Sequence, residues 1–153
     1  MVDADKEGIE QRNETMFTSI SARSANAYKR FSVEASVEQA SPRHLVEMLF
    51  DALVSSIGVA RAALARGDIK AKCESIGKAV RILEEGLKGS LNLKEGGEIA
   101  ANLQDLYNYC IVRLTQANLH NDDALLQEVS DVLAPIVDGW KRIGSPDAAV
   151  GSN

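Results

Sequence analysis

Apolar residues recur at steps of three and four along most of the chain, and this spacing limits its possible folds more than any other feature. The spacing is clearest over residues 69–91, which contain Ile69, Cys73, Ile76, Val80, Leu83, Leu87 and Leu91. Such steps place side chains on one stripe of an α-helix. The strict alternation of a half-buried β-strand is missing from the sequence. The spacing therefore predicts an all-α protein.

Signals for helix ends divide the middle of the chain into separate helices. Ser41 and Pro42 are typical of a helix start, because serine caps free N–H groups and proline lacks an N–H that would stay unbonded there. The first helix is expected to run to about Arg66. Gly67 suits its end and Asp68 suits the cap of the second helix, which continues to about Leu91.

Two further helices follow in the second half of the sequence. The pair Gly96 and Gly97 is expected to form the turn before a third helix that runs to about Leu119, and Asp122 is a suitable cap for a fourth. Pro135 removes one backbone hydrogen bond from the fourth helix and should bend it. Helices of about 20 residues joined by short loops favour an antiparallel up-and-down four-helix bundle.

The bundle is expected to occupy residues 41–143, with weaker patterns on both sides. Residues 1–15 are polar and charged and are expected to be a disordered tail, as are residues 144–153. Residues 16–40 carry spaced apolar side chains without a regular period. We expect them to form a partly mobile N-terminal arm that packs against the bundle.

Charge and missing motifs argue against several functional classes. The formal net charge of −5 disfavours a nucleic-acid partner, which would require a basic face. Neither a long apolar run nor a signal peptide is apparent, so we expect a cytoplasmic protein without membrane insertion. The two histidines lack the glutamate spacing of metal-dependent bundle enzymes, and nucleophile and phosphate-loop motifs are missing. We expect no catalysis, no metal and no other cofactor, and we expect Cys73 and Cys110 to be small buried side chains.

Two helices carry wider apolar arcs than a bundle core requires. At about 100° per residue, the core stripe of the third helix is expected to contain Ile99, Leu103, Leu106, Cys110, Leu114 and Ala117. Tyr107 and Ile111 then fall on its shoulder. On the first helix, Phe50, Val54 and Ile57 fall outside a stripe that contains Leu45, Leu49, Ala52, Leu53 and Ala60. Either the N-terminal arm covers the surplus surface or an external amphipathic segment binds there.

Several sequence patches together resemble one known family. The most specific are "YKRFSVEASVEQASPRHLVEMLFDAL" at 28–53, "GGEIAANLQDLYNY" at 96–109 and "NDDALLQEV" at 121–129. They are similar to the flagellar secretion chaperones called FliS, over residues 16–143. The resemblance implies a cytoplasmic bundle that binds the C-terminal segment of flagellin and prevents its premature polymerisation. It also implies delivery of flagellin to the export gate of the flagellar type III secretion apparatus.

The resemblance and the apolar arcs give ten candidate partner-binding residues: Phe17, Tyr28, Leu45, Phe50, Ile57, Ile99, Leu103, Leu106, Tyr107 and Ile111. Tyr28 matches the aromatic residue of the family's N-terminal arm, which covers part of the flagellin groove. Phe17 stands where relatives carry tyrosine. We expect Tyr107→Ala or Ile111→Asp to weaken flagellin binding more than it lowers the melting temperature. A second hypothesis stays open, a regulatory helical bundle that binds another flagellar protein, such as an anti-sigma factor.

Overall fold

The computed structural model describes residues 41–144, and over this range the chain forms an all-α bundle, as predicted. Its four α-helices are α1 (Pro42–Ala65), α2 (Ile69–Arg81), α3 (Leu93–His120) and α4 (Asp123–Gly144). A π-helical turn, here called the π segment (Ile82–Leu87), continues α2. The tail predicted at 1–15, the arm predicted at 16–40 and residues 145–153 lie outside the described residues.

The helices form a ring in sequence order. α1 packs against α2, α2 against α3 and α3 against α4, while α4 closes the ring against α1. Short connections between sequence neighbours require this up-and-down arrangement, because a chain that turns within a few residues must return beside the helix it has just left. The core lies between the four helices, and each of them contributes buried apolar side chains to it.

Capping contacts confirm the predicted starts of the first two helices and the predicted end of the first, whereas α3 starts at Leu93, before the turn expected at Gly96 and Gly97. Ser41 Oγ accepts a hydrogen bond of 3.2 Å from the backbone N–H of His44. The carboxylate of Asp68 accepts one of 3.1 Å from the N–H of Ala71. Gly67 has a φ of 78°, in the left-handed region that glycine adopts without a steric penalty. These residues satisfy backbone groups that the first and second helices leave without intrahelical partners.

The start of α4 is also as predicted, since the Asp122 carboxylate accepts a 3.0 Å hydrogen bond from the N–H of Ala124. α4 then continues as one helix past Pro135 to its end at Gly144. The bend expected at Pro135 stays a prediction.

The width of the core stripe on α1 was predicted wrongly. Phe50 and Ile57 were expected outside it, but each side chain is only 1% exposed. The reason is that α1 packs against three elements, α2, the π segment and α4. Its buried face therefore spans more of its circumference than that of a helix packed against two neighbours. Val54 is exposed, as expected.

The core stripe predicted for α3 is confirmed at Cys110, Leu114 and Ala117 but is wrong in its first half. The buried residues of α3 are Ala100, Tyr107, Cys110, Leu114 and Ala117. Ile99, expected in the inner wall, is 73% exposed, whereas Tyr107, expected on the shoulder, is 3% exposed. Gly97 interrupts the helical geometry (φ 55°, ψ −130°), so the regular helix begins after it and Ile99 lies in its exposed first turn.

In α2 the inward positions begin later than expected. Ile69 and Cys73 are exposed, which contradicts the predicted seam and the predicted burial of Cys73. Lys72 takes the inward position beside them, and Ile76 and Ala79 continue that stripe. The burial predicted for Cys110 is confirmed.

Lys72 is a buried cation that joins α2 to the end of α3. Its side chain is 2% exposed. Nζ donates hydrogen bonds to the backbone carbonyl of Asn118 at 2.8 Å and to Oδ1 of Asn121 at 2.6 Å. Asn121 is the left-handed residue that ends α3 (φ 52°). The ammonium therefore lies at the negative end of the α3 dipole, where a cation is favoured.

By length and composition alone, α1 is long and apolar enough to cross a membrane, contrary to the expectation from the sequence. In the bundle its largest apolar side chains, such as Leu45, Leu49 and Leu53, belong to the central cluster of buried residues. The core helix of a globular bundle passes the same test of length and composition.

Candidate binding groove

An open apolar groove lies at the end of the bundle where α1, α3, α4 and the π segment meet. Its volume is about 380 Å³. It is lined by Val46, Leu87, Ser90, Leu91, Asn92, Glu95, Gly96, Ile99, Ala100, Leu103, Tyr107 and Trp140. The volume lies near the lower limit of about 300–1,000 Å³ for small-ligand sites, so the groove holds a few side chains of a larger partner.

The floor of the groove belongs to the bundle core. Leu87, Ala100 and Tyr107 line it and are buried. Burial raises the pKa of the Tyr107 hydroxyl well above its usual value near 10, and the nearby Cys110 adds to the rise. The tyrosine is therefore neutral at physiological pH. A neutral, apolar floor favours apolar groups over charged ones, because a charge placed there would lose its hydration without a partner.

One wall is fixed by Trp140 near the end of α4. Its indole N–H donates a 3.1 Å hydrogen bond to the backbone carbonyl of Arg43, at the start of α1. Its ring lies 6.2 Å from that of Phe50, tilted by 56°. In return, Arg43 Nη1 donates a 3.0 Å hydrogen bond to the carbonyl of Ile143. These contacts hold the two helix ends together, so this wall is part of the rigid bundle.

The opposite wall follows the chain from the π segment into α3. The N–H of Lys88 bonds to the carbonyl of Leu83 at 2.8 Å, five residues back, as a π turn requires. The chain then leaves the helix, and Asn92 caps the first turn of α3 with its side chain. This turn ends at Gly97. Gly96 also needs to be glycine, because an added Cβ would lie 2.6 Å from the Cβ of Ala100.

The groove is suited to bind apolar groups of a partner, because its apolar lining is removed from water when they enter. Only Ser90, Asn92 and Glu95 among its lining residues are polar. Within residues 41–144, histidine, cysteine and acidic side chains do not gather into a group that could hold a metal ion. Burial raises the pKa of the nearby Cys110 thiol to about 11, with the charge of Glu128 as the second cause, so this thiol stays protonated and unreactive.

The groove brings together three of the ten predicted partner-binding residues, Ile99, Leu103 and Tyr107. Their roles differ from the prediction, since Tyr107 forms part of the floor and Ile99 is the most exposed of the three. Leu103 is half-buried between them. The spacing predicted Ile99 inside and Tyr107 on the shoulder, whereas Tyr107 is buried and Ile99 is exposed. That these residues bind a partner stays a prediction.

The other predicted site residues lie elsewhere. Leu45, Phe50 and Ile57 are core side chains that a partner could reach only if the helices separated. Leu106 and Ile111 are half-buried and do not line the groove. Phe17 and Tyr28 lie outside the described residues.

Sequence reasoning missed Val46, Leu91 and Trp140 as groove residues. The sequence instead predicts that Leu91 belongs to the apolar stripe of the second helix. One signal could have identified Trp140, because it is the only tryptophan of the chain and stands close to the end of its helix. Tryptophan is seldom fully buried and often lies with one edge at a surface.

Comparison with known sequences gives a consistent result. The sequence model of the family described as "Flagellar protein FliS" matches residues 24–147. The match therefore includes the whole described bundle and the groove residues.

Individual relatives cover most of the chain. The flagellar secretion chaperone FliS of Salmonella typhimurium is 49% identical over 123 residues, which span 80% of this chain and 90% of that protein. The flagellar secretion chaperone FliSB of Pseudomonas aeruginosa is 41% identical over 116 residues, 76% of this chain and 91% of that protein. The flagellar secretion chaperone FliS of Escherichia coli is 38% identical over 121 residues, 79% of this chain and 89% of that protein.

Proposed function

Because the chain belongs to the FliS family, and so has a chaperone role in flagellar export, we propose that it binds the C-terminal segment of flagellin in the cytoplasm. Binding would keep flagellin from polymerising before export and would deliver it to the gate of the flagellar type III secretion apparatus. The role needs no catalysis and no cofactor, because a chaperone of this kind acts by covering a surface.

One observation carries this proposal, the apolar groove beside an exposed isoleucine. Ile99 is 73% exposed although it is a large apolar residue at the mouth of a groove with an apolar floor. Covering such a side chain with a second apolar surface stabilises the complex by about 25 cal/mol for each Å² removed from water. An amphipathic segment that lays its apolar face into the groove would supply that surface.

The groove accounts for only part of a chaperone contact. A stable protein interface buries about 800 Å² on each partner, more than a groove of this volume can provide. We therefore propose that flagellin also contacts surface beyond the groove. The half-buried Leu106 and Ile111 of α3 and the arm residues Phe17 and Tyr28 stay candidates for this additional surface.

The proposal is tested by calorimetric titration with a peptide of the C-terminal segment of flagellin from the same organism. Ile99→Asp should weaken binding about tenfold or more, because it places a charge against the apolar groove. It should leave the melting temperature nearly unchanged, since the side chain is already in water. Val112→Asp is the matched control, because Val112 is also exposed on α3 (54%) but does not line the groove.

The wild-type titration should show a negative heat-capacity change, the mark of buried apolar surface. No binding at micromolar peptide would overturn the proposed function. Equal losses of affinity in Ile99→Asp and Val112→Asp would show that the peptide binds outside the groove.

A further inference from the structure

The groove has one wall that differs in construction from the rest of the bundle. This wall is carried by residues 88–97, here called the strap, which connect the π segment to the regular part of α3. The strap contributes Ser90, Leu91, Asn92, Glu95 and Gly96 to the groove lining. The opposite wall and the floor are held by Trp140, Tyr107 and other side chains of the core cluster or packed against it.

Few core contacts hold the strap in place. The five strap residues from 93 to 97 are exposed although they lie within α3, and those from 88 to 92 are half-buried. Within the strap, only Leu91 packs against the core cluster. Segments with few buried apolar contacts open at a lower free energy than the rest of a fold. The strap is therefore the part of the described groove that can move without unfolding the bundle.

A backbone irregularity lies at each end of the strap. At its start, the π segment closes a hydrogen bond between Lys88 and Leu83 in place of the α-helical bond to Glu84. At its far end, Gly97 has φ 55° and ψ −130°, a conformation open to glycine but strained for other residues. A π turn can return to α-helical bonding by a small shift, and a glycine can rotate at little cost. Both ends are therefore suited to act as hinges.

We propose that residues 88–97 form a hinged strap, which opens in the free chain and closes over an apolar partner segment in the groove. The closing step rests on the proposed function, whereas the opening step does not. Closure would bring Leu91 and the first turn of α3 against the partner. It would bury apolar surface on both sides while the four-helix core stays unchanged.

Hydrogen exchange measured by mass spectrometry tests the opening step on the full chain alone. Amides of the strap should exchange about 100-fold faster than those of α3 between Tyr107 and Leu114, because their opening does not require global unfolding. If the strap amides exchange as slowly as that part of α3, the opening step is wrong, whether or not the peptide binds.

The closing step is tested by adding saturating peptide of the flagellin C-terminal segment. Exchange of the strap amides should slow about tenfold or more when the partner covers them. Unchanged exchange with bound peptide would overturn closure but leave the proposed function intact. If titration detects no binding, the proposed function and closure both fail, and the result for the free chain still decides whether the strap opens.

Gly97→Ala tests the hinge directly. An alanine is strained at this backbone conformation and rotates less freely than glycine, so closure should be hindered and peptide affinity should fall about tenfold. The control is Gly77→Ala, within regular α2, where an added Cβ meets only the end of the Arg81 side chain at 3.7 Å. Equal affinity in the two variants would overturn the role of Gly97 as a hinge. Unchanged exchange in α3 beyond the strap would show that Gly97→Ala has left the bundle folded.

Discussion

At the scale of single residues, Tyr107 and Ile99 belong to one helix but differ in burial. The position of a side chain around the helix axis does not by itself predict which of them packs into the core. Both line the groove, but Tyr107 is also part of the core cluster, whereas Ile99 extends into water. Replacing Tyr107 therefore removes core packing together with groove surface. This reverses the result expected from the sequence, in which Tyr107→Ala affected binding more than stability.

We expect Tyr107→Ala to lower the free energy of unfolding by about 3–5 kcal/mol, the usual range for an aromatic core residue cut to alanine. Ile99→Ala should change it by less than about 0.5 kcal/mol, because that side chain is exposed. Urea unfolding followed by circular dichroism measures both. Similar losses in the two variants would mean that Ile99 packs against the core in solution.

At the scale of elements, the π segment requires a glycine two residues after its end. An added Cβ at Gly89 would lie 2.4 Å from the backbone oxygen of Glu85. Backbone atoms cannot move aside as the end of a side chain can. A larger residue at Gly89 would therefore force the backbone after the π segment to shift. This glycine is therefore required by close packing, in contrast to Gly97, which is required by its backbone angles.

Gly89→Ala should destabilise the chain by about 1–3 kcal/mol, the usual cost of overpacking. Gly58→Ala, in the middle of α1, should instead stabilise it by up to about 1 kcal/mol, because an added Cβ meets nothing within 4 Å and alanine is the better helix former. Thermal unfolding of both variants provides the comparison. A neutral Gly89→Ala would indicate that the π segment already changes shape in solution.

At the scale of the whole molecule, two ion pairs join the first helix of the bundle to the last, Lys141 with Asp51 and Arg61 with Asp123. Arg61 Nε and Nη2 donate hydrogen bonds of 2.8 and 3.0 Å to the two carboxylate oxygens of Asp123. The hydrogen bonds from Arg61 hold the pKa of the Asp123 carboxyl below its usual value of 3.8. Because both groups are largely exposed, solvent screening keeps the contribution small.

Because the pKa of Asp123 is lowered in the folded chain, the direction in which its contribution to stability changes with pH is known. A carboxyl with a lower pKa in the folded chain stabilises the fold above its unfolded pKa, and this stabilisation is lost as the pH falls through the folded pKa. Asp123→Asn should therefore melt slightly below the wild type at neutral pH, with the gap closing below about pH 4. Asp105→Asn, exposed on α3, is the control. A gap that is the same at all pH values would exclude the ion pair as its cause.

The bundle could be predicted from the sequence because its signals are local. Ser41, Asp68 and Asp122 each cap a helix within a few residues, and such contacts depend little on the rest of the fold. The groove was only partly predictable. The buried face of α3 is as predicted at Cys110, Leu114 and Ala117 but differs near Gly97, where the backbone leaves helical geometry.

The burial of Lys72 shows a different limit of sequence reasoning. A lysine among apolar residues is ordinarily assigned to the solvent side. Here its hydrogen-bond partners come from the end of α3, more than 40 positions away in the sequence, as the separations of 46 and 49 residues show. Only the packing of α2 against α3 brings these groups together, so no local pattern could have indicated the contact.

The unequal exposure of the two cysteines has a practical consequence for solution work on this chain. Cys73 is exposed on α2 and does not line the groove, whereas Cys110 is sealed in the core with its thiol protonated. A maleimide dye should therefore attach at a single position of the native sequence. Fluorescence anisotropy could then test the proposed binding of the flagellin peptide without engineering either cysteine.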